Sequence, residues 1–221
     1  MSTDSTPNTN RLTRAYTSTD ADIRLRATLA AGTDPQPGDI PTLIAQCAVE
    51  PDFFVRDMLT WALTRHPGGA TLPMLVAELD SPTPQAVAQA LHTLSKIDDA
   101  RAFPHITDAH LHHPDDEVAR TAWRTAAGLA GPGQHTDLAA RLVPELGRGD
   151  RELRRSLTRA FLQLGGAADP VLRLVAARPG PGRDHALTTL LLLDDPDLGF
   201  DAAEATAATT PTTSVTAGTG Q

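Results

Sequence analysis

The fifteen residues Asp52-Phe-Phe-Val-Arg-Asp-Met-Leu-Thr-Trp-Ala-Leu-Thr-Arg-His66 decide the fold. Within them Val55, Leu59 and Ala62 follow one another at steps of four and three, with polar residues between. That spacing puts all three on one side of an α-helix. Asp52 stands just ahead of the series, where a carboxylate can accept from the unpaired N–H groups of a first helical turn. The same arrangement recurs along the chain. Asp20, Pro84, Asp115 and Asp150 open similar stretches, and the anchors Ile23, Val55, Val87, Val118 and Leu153 are 32, 32, 31 and 35 residues apart. A weaker sixth copy surrounds His185, Ala186 and Leu187. β-branched alternation is nowhere sustained, so strands are not expected.

A second amphipathic stretch precedes most of these helices: 40–44, 72–79, 103–106 and 138–146. Turn residues separate the stretches, as in HPGGA at 66–70, SPTP at 81–84, HHPDD at 112–116 and GRGD at 147–150. Pro41, Pro73, Pro104 and Pro170 are expected near the starts of the first helices, where a proline removes no helical bond. Each unit is therefore a hairpin of a helix A and a helix B. A hairpin of this size cannot bury its apolar face alone, and stacking on its neighbours does so. The expected fold is an all-α, right-handed α-solenoid of about five and a half hairpins over residues 11–193. Residues 1–10 and 194–221 are expected to be disordered tails, the second acidic and then rich in Ala, Thr and Gly.

The Asp at a B-helix start, with Val-Arg or a similar pair ending four residues on, resembles HEAT repeats of the short bacterial type, akin to phycobilisome-lyase HEAT-like repeats. Asp20/Arg24, Asp52/Arg56 and Asp150/Arg154 carry the match. Pro84 with Ala88 departs from it, and Asp115 with Ala119 keeps only the Asp. The resemblance implies an armadillo-like superhelix, with those six residues forming a polar ladder between neighbouring repeats. DFFVRDMLTWALTRHP and QALHTLSKIDDARA are similar to actinobacterial HEAT-repeat proteins and to the HEAT segments attached to some mercury-resistance-type regulators. One HEAT family, the deoxyhypusine hydroxylases, holds a di-iron site through His-Glu pairs. This chain contains no His-Glu dipeptide.

Composition narrows the setting. Cys47 is the only cysteine, so an internal disulfide or a CxxC site is excluded, and it is expected to be a buried small hydrophobe. No secretion signal or membrane span is read, and a cytoplasmic location is expected. The motifs GxSxG, GxxxxGK[ST], HExxH and GxGxxG are absent, and the chain is expected not to be an enzyme and to carry no cofactor. His105, His110, His112 and His113 beside Asp115, Asp116 and Glu117 are the one cluster with metal-ligand types. Their spacing fits no known ligand set, so no metal is assigned, and a metal or ligand sensor is a remote alternative.

The B helices of such arrays line the concave face. Positions beside the core series give Trp61, His92, Arg120, Trp123, Arg124, Arg155 and Arg159 as partner-binding residues. Arginine with tryptophan suits a carboxylate or an aromatic edge. The net charge of −8 counts against an anionic partner, but six acidic residues lie outside 11–193. Within 11–193 the balance is 19 basic against 21 acidic, and 148–159 alone holds five basic and two acidic residues. The expected function is a scaffold, monomeric or weakly dimeric, binding a partner protein or an acidic peptide segment in its groove. Nucleic-acid binding, similar to DNA-alkylation-repeat proteins, stands second, with Asp57 as the one groove carboxylate such an enzyme could use. The acidic tail could compete for the arginines.

Overall fold

The computed structural model describes residues 6–211. They form helices joined by short turns, with no strand among the described residues. The fold is the expected all-α solenoid of hairpins, divided after Leu129 into two compact units.

In the first unit the A and B helices alternate as α1 (Thr6–Tyr16), α2 (Ala21–Thr33), α3 (Ile40–Val49), α4 (Phe53–Arg65), α5 (Gly68–Glu78) and α6 (Pro84–Ile97). A 3-10 turn (Ala100–His105) with a one-turn helix, α7 (Asp108–Leu111), takes the place of the next A helix, and α8 (Asp116–Leu129) is its B helix. The B helices α2, α4, α6 and α8 pack in sequence. In the second unit α9 (His135–Leu142), α10 (Arg151–Leu164), α11 (Asp169–Ala176) and α12 (Arg183–Asp194) repeat the pattern, and α13 (Phe200–Thr209) packs on α12. Helices therefore reach into both segments expected to be tails. α1 begins at Thr6, and Ala203 and Ala207 of α13 are fully buried. Residues 1–5 and 212–221 lie outside the described residues.

Local chemistry starts these helices. Asp20, Asp52, Asp115 and Asp150 all accept first-turn N–H bonds, for example Phe54 N–H at 2.9 Å and Val55 N–H at 3.1 Å on Asp52 Oδ1. Pro41 and Pro170 occupy second positions, as expected. Pro73 does not: it sits inside α5. Pro104 likewise falls within a 3-10 turn instead of opening a helix, because an interior proline lacks the donor an α-helix needs. The anchor series is core, with Val55, Leu59, Ala62, Leu91, Leu94, Val118 and Leu157 at most 1% exposed. Ile23 is 39% exposed, since no described B helix precedes α2 to cover it. Burial pushes the Cys47 thiol up to about 12, which makes it the inert core residue expected.

Buried threonines set the register between B helices. Thr60 and Thr93 hydroxyls meet at 3.3 Å, and Gln89 Nε2 donates to Thr60 Oγ1 at 2.8 Å. Thr125 Oγ1 shares its one proton between Thr121 O at 2.7 Å in its own helix and the Leu91 carbonyl at 3.1 Å across from it. Tyr16 joins Thr28 in the same way at 3.0 Å.

Glu50, fully buried, holds the first unit's repeats together. It accepts from Arg24 Nε and Nη2 at 2.8 and 2.7 Å, from Gln46 Nε2 at 2.6 Å and from the Asp52 N–H at 3.0 Å. Burial alone would raise the carboxyl's pKa, but these donors hold it below the ordinary value. Glu50→Ala should cost about 3–5 kcal/mol, because the Arg24 charge is then left buried without a partner. Urea denaturation followed by circular dichroism reads this directly, and Arg24→Met with Glu50→Leu together should cost less than Glu50→Ala alone.

In the second unit the buried His185 of α12 links neighbouring segments. Gly147 N–H donates to its Nδ1 at 3.0 Å, so Nε2 carries the proton and donates to Thr158 Oγ1 at 2.9 Å. Thr158 passes the chain to Thr189 at 3.1 Å, and Thr189 closes it on the His185 carbonyl at 2.9 Å. Burial, with the Arg154 charge acting in the same sense, pushes the imidazole down to about 4. The unfolded imidazole titrates near 6.5. Between these values the unfolded chain holds the extra proton. The contribution is thus complete above pH 6.5 and is lost as pH falls toward 4, with a size of order 3 kcal/mol. The urea midpoint of the second unit should drop across that window, and His185→Gln should flatten the slope.

Candidate functional site

The B-helix face of the first unit carries a groove of about 560 Å3 bounded by α4, α6 and α8. Phe53, Asp57, Gln89, His92, Arg120 and Arg124 line it, with Arg56 beside them. Phe53 and Phe54 are 67% and 73% exposed at its edge, and Val49 is also exposed. Helical spacing explains the set, because Gln89 and His92 on α6, and Arg120 and Arg124 on α8, flank the buried series of their own helices.

Most of the charges here are already engaged. Arg120 pairs with Glu117 at 2.6 Å. Asp115 is occupied as the cap of α8. Arg56 spends Nη1 on the Glu50 and Pro51 carbonyls at 2.8 and 2.9 Å, and its guanidinium lies 6.0 Å from the centre of the Phe53 ring. Two groups stand apart. Asp57 makes no hydrogen bond or ion pair among the described residues. Arg124 donates from Nη2 to His92 Nδ1 at 3.0 Å and has no carboxylate partner among the described residues. Partial burial pushes the Arg124 guanidinium below its ordinary value, against the opposing pull of Glu117. Burial, then Arg124 and Lys96, lower the His92 imidazole, so the acceptor facing Arg124 stays neutral.

The other expected site residues lie elsewhere. Trp123 is fully buried, with its indole N–H on the Leu111 carbonyl at 2.7 Å, so it is a core residue and not a groove residue. Trp61 is half-buried, and its ring fills the space that the missing side chain of Gly32 leaves on α2. Arg155 and Arg159 belong to the second unit. Arg155 pairs with Glu152 at 3.2 Å and lies 5.4 Å over the Phe200 ring. Arg159 is exposed.

The expected Asp/Arg ladder is also corrected. The aspartates cap their own helices, while the arginines reach back to the turn before the helix: Arg24 to Ser18 O at 2.9 Å, Arg56 to Glu50 O, and Arg154 to Gly149 O at 2.9 Å. A guanidinium one turn into a helix can satisfy carbonyls of the preceding turn that the helix itself leaves unpaired. Within each unit the polar links between B helices are made instead by buried threonines, Thr60 with Thr93 and Thr125 with Leu91 O in the first and Thr158 with Thr189 in the second, and buried threonines recur at positions 28, 60, 93, 125, 158 and 189. Their spacing of 32, 33, 32, 33 and 31 was a signal available in the sequence.

The histidine cluster does not converge. His110 Nδ1 accepts from the Thr107 N–H at 3.0 Å and its Nε2 donates to Leu79 O at 3.2 Å. His113 Nδ1 accepts from the Asp115 N–H at 3.0 Å. Among the described residues no three His, Cys, Asp or Glu side chains gather as metal ligands. The His110 and His113 rings each accept a backbone N–H.

In the second unit α13 lies over the arginines of α10. Arg151 pairs with Asp201, and with Glu204 at 3.0 Å. Arg154 pairs with Glu204 at 3.2 Å, and Arg151 and Arg155 both face the Phe200 ring. The acidic segment thus occupies the most basic stretch of the sequence.

Residues 40–128 match the family model of HEAT repeats. A search of curated proteins found none similar. Among solved structures, human deoxyhypusine hydroxylase in complex with glycerol is similar over 90% of this chain and 94% of that one, at 18% identity and a TM-score of 0.45. The expectation that the chain is not an enzyme is corrected on this finding. The matched protein is a hydroxylase by name, and a repeat fold without familiar motifs does not exclude catalysis. At that TM-score the likeness assigns no reaction and no residue. No helix among the described residues is long and apolar enough to cross a membrane.

The contact of α13 with the arginines of α10 is made by ion pairs and by the Phe200 ring, while Ala203 and Ala207 are its fully buried residues. Exposed ion pairs of this kind contribute of order 1 kcal/mol or less each. Asp201→Lys with Glu204→Lys should therefore leave overall helicity nearly unchanged. Limited proteolysis should then cut the 195–199 segment several-fold faster than in the wild type, and raised salt should have a similar effect on the wild-type chain.

Proposed function

We propose that the α4–α6–α8 groove of the first unit binds a segment of a partner protein, with a carboxylate of that segment on Arg124. The observation that carries this reading is Arg124 itself. It is a partly desolvated guanidinium, oriented by His92, whose remaining donors have no carboxylate among the described residues. A bound carboxylate would supply charge-assisted bonds that the fold leaves unmade. Asp57 offers an acceptor in the same groove, so the fitting segment has mixed charge, a carboxylate and a donor. Phe53 and Phe54 add exposed aromatic surface of the kind that anchors interfaces.

The array is of the short bacterial HEAT type in this reading, on the residues Asp52 and Arg56 quoted above. Nucleic acid is the less favoured ligand. Three carboxylates, Asp57, Asp115 and Glu117, share the groove with Arg56, Arg120 and Arg124, so it has no net positive charge to draw a polyanion.

A random-peptide display library selected on the purified chain tests the reading. Selected peptides should share an acidic residue, and Arg124→Glu should weaken them about ten- to hundredfold with no loss of helicity. Peptides that bind Arg124→Glu as tightly as the wild type would overturn the site. Binding of a DNA duplex at low salt, falling steeply as salt rises, would move the function to nucleic acid.

A further inference from the structure

The second unit contains a different groove, of about 610 Å3, built from α9, the 3-10 turn Val143–Glu145, α11 and the turn before α12. Its chemistry is lopsided. Val143, Leu146, Val171, Leu174 and Val175 form an apolar wall, and Leu174 stands 61% exposed on it. The charged residues lining it are Arg178 and Arg183, and no carboxylate lines it among the described residues. Arg178 is exposed and makes no ion pair among the described residues. Arg183 is nine-tenths buried; it gives Nη1 to Asp184 and Nη2 to the Thr210 carbonyl, both at 2.9 Å, while its Nε has no hydrogen-bond partner.

The floor of the groove is preformed. Gly147 has φ +87°, and a Cβ there would lie 2.5 Å from the Pro181 carbonyl oxygen. A Cβ on Gly182 would lie 2.9 Å from that of Leu146. The 180–182 turn is therefore seated backbone to backbone on 146–147, and His185 fixes the same strip by accepting the Gly147 N–H. A pocket of several hundred Å3 with an apolar wall and few convergent polar groups has the usual make-up of a small-ligand site.

We propose that this groove binds a monomeric aliphatic carboxylate, with its chain along the Val143–Val171–Leu174–Val175 wall and its head on Arg178. The apolar wall selects a hydrocarbon chain, since each methylene laid on it leaves water. The head must be anionic, because Arg178 has no carboxylate partner among the described residues and no carboxylate lines the groove. A cationic amphiphile would face Arg178 with no acidic group to offset the repulsion. Arg183 already holds Asp184, so the head is assigned to Arg178 alone.

Dodecanoate below its micellar concentration, titrated into the full-length chain at neutral pH by calorimetry, is the test. One saturable site is expected. Leu174→Glu should abolish it, and Arg178→Glu should weaken it about tenfold or more. Both positions are exposed, so an unchanged circular dichroism spectrum serves as the folding control. Dodecylamine should not bind. The proposal is overturned if dodecanoate shows no saturable binding, if dodecylamine binds as well, or if Leu174→Glu leaves the affinity unaltered. Binding to phosphatidylglycerol vesicles without binding to free dodecanoate would equally overturn it, since the surface would then be a membrane contact.

Discussion

A buried hydroxyl must find both a donor role and an acceptor role, and that constraint organises the helices of this protein. Thr28, Thr60, Thr93, Thr125, Thr158 and Thr189 are all at most 4% exposed. Most give their proton to the carbonyl one turn back in their own helix, as Thr93 does to Gln89 O at 2.8 Å. The remaining lone pair, or the remaining carbonyl, is then open to the neighbouring helix. Within each unit this fixes one B helix against the next. A slide by a turn would leave apolar contacts of similar quality but would orphan hydroxyls, at roughly 1–3 kcal/mol for each unsatisfied group. Hydrophobic burial drives the stacking, and the threonines choose its register.

The same accounting sorts the charges. Eighteen arginines make the chain look like a binder of anions. Most are engaged within the fold. Arg24 neutralises the buried Glu50, Arg56 and Arg154 close the turns ahead of their helices, and Arg151 and Arg154 take the carboxylates of α13. Arg124 is the groove arginine that faces a neutral imidazole in place of an acid. Function is therefore sought at the residues the fold leaves unsatisfied, and not where the basic residues are densest. In the arginine-dense stretch 148–159, Arg148, Arg151, Arg154 and Arg155 are each paired with a carboxylate.

Much of the fold was legible because its determinants are local. An Asp ahead of Val55, Leu59 and Ala62 specifies a capped amphipathic helix within a dozen residues, and repetition of that pattern implies stacking. The threonines are equally periodic, but a polar residue on an apolar face reads in sequence as an interruption, because its hydrogen-bond partner lies on another helix. Trp123 was read as a groove residue from its place one step from the core series. The structure buries it completely because Leu111 O lies where the indole N–H can reach it. Helix α13 was read as part of a tail, since Phe200, Ala203 and Ala207 are too few apolar residues to mark a helix among acidic and threonine-rich neighbours.

The sequence by itself determined the repeat, the all-α class, the caps and the apolar series, since each of these is written in residues at most a few turns apart. Tertiary structure alone decided which charges are free. Arg24 meets Glu50 across 26 residues, and Arg151 meets Glu204 across 53. An ion pair acts over a few ångströms of space with no fixed interval along the chain, so no local pattern encodes it, and the open or occupied state of each arginine becomes visible only once the helices are packed.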